Sequence, residues 1–166
     1  MPLKGIIGTD FPKVRNDIKQ ISDPLGSDTQ VMAVPKIDLD VAILHVPYAD
    51  EQGNCNITGA VWMDDDMAKT AKKTIITTER IVETEDIRHL QGKAQLPMQT
   101  TTAVIKMPFG AHPTSCYDKY TFDASHIQAY LNIDFEEYKK KFIYAKSHAE
   151  YLDIAGGSRM ILDILF

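Results

Sequence analysis

The chain has 166 residues, 44% of them hydrophobic and 25% charged, with a formal net charge of −5. That is enough apolar material for one compact domain with a real core, which sets the chain apart from disordered tails. The acidic balance argues against nucleic acid as a partner, because the one lysine cluster (139–141) reads as a solvated helix face, and the lack of an apolar run near ~18 residues argues against a membrane span.

Residues 1–30 read as loop, punctuated by Gly5, Gly8, Pro12, Pro24 and Gly26, with a turn at Asp23-Pro24-Leu25-Gly26. A short apolar run, 31–34, stops at Pro35. VAILHV (41–46) is apolar throughout, the pattern of a strand covered on both faces, as in a parallel sheet. A polar loop (50–54) and a short strand near 55–58 follow. Asp64, Asp65 and Asp66 are placed to cap a helix over 65–73. TIITT (74–78) is β-branched and reads as the next strand, and Thr84 opens a short helix. A further buried strand is expected over 103–107, with FGAHPTSCY (109–117) leaving its carboxyl end. The last third is helical: Asp123 caps 124–132, Asp134 caps 135–146, and Ser147 and Ser158 start two more helices. The fold class expected is α/β: an open, mostly parallel sheet with flanking helices, incomplete, ending in a helical tail. An open parallel sheet needs helices on both faces, and the helices counted here cover too little of it.

FGAHPTSCY concentrates reactive residue types, yet the nucleophile-elbow pattern G-x-S-x-G is absent, and Ser115 and His112 are too close in sequence for an ordinary triad. The five histidines are scattered and no metal-binding spacing occurs, so no metal site is expected. The preferred reading is a shaped loop in which Gly110 and Pro113 set the turn. The loop at 50–54 follows a buried strand, where open α/β sheets place ligands. Gly53 permits a tight turn there and Asn54 both donates and accepts. Two cysteines, Cys55 and Cys116, do not make a disulfide framework, which suits a reducing, cytoplasmic setting.

Three stretches, LDVAILHVPYADEQGN (39–54), ITTERIVETEDIR (76–88) and PFGAHPTSCY (108–117), resemble the A (alpha) subunit of family I CoA-transferases of the glutaconate CoA-transferase type. GIIGTD (5–10) also resembles a segment of that subunit. The resemblance implies that residues 1–166 correspond to the C-terminal part of such a subunit, the N-terminal half being absent. It implies CoA transfer between an acyl-CoA and a carboxylic acid, with CoA as substrate and no cofactor. It also implies a B subunit partner, in a hetero-oligomer, that carries the nucleophilic glutamate. No catalytic residue is then expected in this chain. Gly53, Asn54, Gly110, His112 and Ser115 become candidates for substrate binding, with His112 and Ser115 donating to a carboxylate or thioester oxygen as an oxyanion hole does. Alternatives are a CoA-ester hydrolase subunit of the same fold, of the steroid ring-opening type, or a truncated non-catalytic protein that binds a partner.

Overall fold

The computed structural model describes residues 2–90 and 94–165. Where length alone suggests one domain, the chain divides into two compact units, Met1–Asp38 and Leu39–Phe166.

The first unit corrects the loop expected over its residues. It holds β1 (Pro2–Leu3), the short helix α1 (Phe11–Val14), β2 (Lys19–Ser22) and β3 (Gln30–Ala33). The strands pair antiparallel in the order β1-β3-β2. β2 is exposed along its whole length, so its sequence (KQIS) carries no burial pattern by which a strand could be recognised. The turn expected at Asp23–Gly26 is present: Gly26 N donates to Asp23 O at 3.1 Å, and it sits between β2 and β3.

The second unit is built on β4 (Val41–Ala49), β5 (Cys55–Ile57), β6 (Lys73–Ile81), β7 (Ala94–Leu96) and β8 (Ala103–Lys106), in the order β7-β5-β4-β6-β8. β4, β6 and β8 are parallel; β5 and β7 extend the sheet antiparallel. The architecture is therefore α/β with a mixed sheet. One face carries Leu44, Val46 and Ile76, packed with Cys55, Ile57 and Leu96 beneath Ala68 of α2 (Asp64–Thr70). α2 ends three residues short of the expected helix because Lys73 already belongs to β6. Its three aspartates occupy the first turn without a side-chain cap, and Asp65 instead pairs with Lys69 at 2.6 Å.

The opposite face is left open, as the small number of helices leads one to expect. VAILHV and the strand at 103–107 read as covered on both sides, yet Val41, Ile43 and Ile105 are exposed, Ile43 by 66%. β8 is an edge strand of which only Val104 turns inward. A continuous apolar run marks residues able to be covered; it does not supply the cover.

α3 (Thr84–His89) lies between β6 and β7, and the helical tail is α4 (Ala124–Asn132), α5 (Phe135–Tyr138), α6 (His148–Ala155) and α7 (Gly157–Ile164). Asp123, Asp134 and Ser147 cap α4, α5 and α6 as expected. The helix expected over 135–146 is instead one α turn followed by a π turn, Lys139–Ile143. Met160 and Ile164 of α7 form a second core with Cys116 and Tyr120, against Phe109, Ala111 and Leu152. The tail thus clamps the FGAHPTSCY loop.

Candidate functional site

Both candidate loops leave carboxyl ends of parallel strands, where peptide groups freed from the sheet face a crevice. The first follows β4. Asp50, only 1% exposed, is its hub. One carboxylate oxygen accepts from the Gly53 and Asn54 amides, both at 2.8 Å, and the other accepts from Asn54 Nδ2 at 2.7 Å. Burial alone would raise the Asp50 carboxyl, but these donors and Thr84 outweigh it and hold it below the usual range. Gly53 has φ 102°, and a Cβ there would come 2.9 Å from Thr101 Cβ, so glycine is required twice over. Asn54 Oδ1 accepts from Met98 N at 3.0 Å. Gly53 and Asn54 therefore face inward and shape the loop. The groups turned toward the adjoining 470 Å3 cleft are those of Glu51, Gln52, Glu83 and Thr84. Asp50→Ala leaves three donors without their acceptor, at about 1–3 kcal/mol for each group stranded from water. A clear fall in the urea midpoint is the expected result; an unchanged midpoint would contradict the hub role.

The second loop follows β8 and hangs from Glu79 of β6, whose side chain is 7% exposed. Glu79 accepts from His45 Nε2 (2.7 Å), Phe109 N (3.0 Å) and Tyr120 Oη (2.9 Å). Tyr120 Oη in turn accepts from Ala111 N at 3.0 Å. Phe109 adopts φ 59°, the left-handed region, held there by these bonds and by its ring 5.0 Å from Tyr120. Gly110 has an ordinary φ, and its need is for space: a Cβ would lie 2.8 Å from the His45 ring and 2.9 Å from Met107 O.

Of the candidates in this loop, Ser115 is exposed and lines a 290 Å3 cleft with His45, Pro47, Thr58, Ala111 and Cys116. His112 is turned away from that cleft. Its side chain is fully buried, with Nδ1 2.7 Å from Tyr151 Oη and Nε2 3.2 Å from Asp123 Oδ2. Asn54 borders a different cleft, with Thr84, Ile87 and Leu96, and Gly53 is buried, so the structure does not gather the five candidates into one site. Cys116 is buried and its thiol is pushed up to about 12, first by burial and then by the charge of Glu79, which makes it inert as a nucleophile. The residues that sequence reasoning passed over are Glu79, Tyr120 and Tyr151. The carboxylate of Glu79 interrupting an otherwise β-branched strand, TIITTER, was the available signal for the first.

No protein-family model matches the chain. The chain is 36% identical over 156 residues to the A (alpha) subunit of glutaconate CoA-transferase from Acidaminococcus fermentans, covering 90% of this chain and 49% of its relative. It superposes on the crystal structure of glutaconate coenzyme A-transferase from the same organism with a TM-score of 0.88 and 30% identity, over 100% of this chain and 59% of the other. The chain is a homologue of the glutaconate CoA-transferase A (alpha) subunit. The corresponding polypeptide of 3-oxoadipate CoA-transferase from Pseudomonas knackmussii is 34% identical over 128 residues, 77% of this chain and 44% of the relative. The chain thus spans about half the length of the curated relatives it matches. Within this CoA-transferase homologue, the three motifs occupy β4 with its loop, β6 with the start of α3, and the Glu79-anchored loop. They are the segments whose buried polar groups position one another.

Proposed function

We propose that this chain supplies the A-type part of a CoA-transferase, moving CoA between an acyl-CoA and a carboxylic acid together with a B subunit that carries the nucleophilic glutamate. The observation that carries this reading is the 36% identity to a CoA-transferase of known activity, on its A (alpha) polypeptide, over 90% of the chain. The site chemistry is compatible with it. The buried glutamate at the loop, Glu79, is committed to three donors and is not free to attack a thioester. The cleft bordered by Ser115 offers a hydroxyl that can donate to a carboxylate or thioester oxygen. Transfer needs no cofactor in this scheme, with CoA entering as substrate. The two cysteines are free and buried, in keeping with work in the cytoplasm. Among the described residues no helix is long and apolar enough to cross a membrane.

The open sheet face also suits a protein partner. Ile43 pairs with Ile75, which pairs with Ala103, and exposed Val41 and Ile105 flank them. Contiguous apolar patches of this kind are scarce on monomers and mark contact surfaces.

The test is borohydride trapping of a glutamyl-CoA thioester. With acyl-CoA and this chain alone, no reduced glutamate is expected; when a B-type subunit is added, the reduced glutamate is expected in that partner. Recovery of a reduced glutamate at Glu51 or Glu79 would overturn the division of labour. Release of free CoA to water without any trapped thioester would favour the hydrolase reading.

A further inference from the structure

Behind the second loop, His112, Asp123 and His126 are all buried, and one potential ligand atom from each lies within 4.8 Å of the other two. The outward-facing nitrogens of both rings are already occupied. His112 Nδ1 meets Tyr151 Oη at 2.7 Å and His126 Nε2 meets Tyr138 Oη at 2.9 Å. Tyr151 Oη also lies 3.4 Å from the His112 carbonyl, and when it donates there its oxygen accepts from Nδ1–H. In that tautomer the Nε2 lone pair of His112 faces Asp123 Oδ2 at 3.2 Å. A nitrogen and a carboxylate oxygen at this distance are bridged by a proton or by a metal cation. The other oxygen of Asp123 accepts from His126 N at 2.8 Å, which aims the carboxylate. Nδ1 of His126 makes no hydrogen bond among the described residues.

We propose that His112 Nε2, Asp123 Oδ2 and His126 Nδ1 form a binding site for a zinc ion, independent of the CoA chemistry. Two imidazoles and a carboxylate suit zinc, with bonds of about 2.0–2.2 Å and ligand-to-ligand separations of roughly 3.3 Å in a tetrahedron. The 3.2 Å between His112 and Asp123 already matches one such edge. Metal-binding histidines typically hand their second nitrogen to an oxygen partner that fixes the ring, and Tyr151 and Tyr138 occupy those positions. The shell is otherwise aromatic, with Phe142 4.5 Å from His126, carried by the π turn that interrupts the helix after Tyr138. Such turns recur at functional sites. Zinc here would tie the loop to α4, α5 and α6.

The experiment uses the full chain, stripped with a chelator and titrated with Zn2+ against a chromogenic competitor, and separately loaded with Co2+ for its visible absorption. One equivalent per chain is expected. Asp123→Asn, which retains an N-cap residue, and His126→Gln are each expected to abolish uptake and the cobalt band. Tyr138→Phe should weaken binding by about 10–100-fold. His89→Gln, at an exposed histidine outside the cluster, should leave it unchanged. Absence of stoichiometric uptake by the folded wild type would overturn the proposal and assign the cluster to a hydrogen-bonded histidine–aspartate pair. Full uptake by His126→Gln and Tyr138→Phe, each folded by circular dichroism, would overturn it equally.

Discussion

Glu79→Ala is expected to destabilise the chain by about 3–5 kcal/mol, because three buried donors lose a charged acceptor at about 1–3 kcal/mol each. Three donors converge on this carboxylate from three places: His45 on β4, the Phe109 amide at the start of the loop, and the Tyr120 hydroxyl at its end. None can turn to water once it is gone. Burial alone would raise the Glu79 carboxyl, but His45, Phe109 and Tyr120 outweigh it and hold it below the usual range. Its contribution is therefore in place above the unfolded glutamate value of about 4.3, and is lost as the pH falls from there through the lower folded value. Glu79→Gln removes the titration while keeping the shape. Urea unfolding of the wild type should lose stability on acidification more steeply than that of Glu79→Gln. Parallel acid profiles for the two would show that folding does not lower the Glu79 carboxyl.

Gly110→Val is the second large effect. The new Cβ would enter space held by the His45 ring at 2.8 Å and the Met107 carbonyl at 2.9 Å. The carbonyl is backbone, and the ring is fixed at both nitrogens by Thr77 and Glu79, so neither can yield cheaply. Overpacking of this kind costs about 1–3 kcal/mol and displaces the loop that carries Ser115. In a complex reconstituted with a B-type subunit, turnover should fall well beyond what the loss of stability accounts for. Cys116→Ala, which removes an inert thiol, should leave turnover close to wild type. Abolished turnover in Cys116→Ala with normal turnover in Gly110→Val would make the loop a thiol site and refute its reading as a shaped one.

The motifs were legible in the chain because they are local. ADEQGN and FGAHPTSCY need particular residues at particular turns, and those needs show in the letters themselves. The strands over 41–49 and 73–81 announced their middles by the apolar run 41–46 and the β-branched run 74–78, and Asp123, Asp134 and Ser147 marked helix starts by capping chemistry that acts within three residues. The first unit was not legible, since β2 is exposed and pairs with a strand recognisable only through the partner it finds. The role of His112 was decided by tertiary structure alone. Its sequence neighbours suggested a donor at the mouth of a cleft, whereas its ring is committed to Asp123 and Tyr151, 11 and 39 residues further along the chain. The same holds for Glu79, an ordinary acid at the end of a strand until folding brings His45 and Tyr120 to it from 34 residues before and 41 after. Short-range hydrogen bonds are written in adjacent residues, but a buried polar network exists only when packing has excluded water from groups far apart in the chain, and no local pattern encodes which of them will meet.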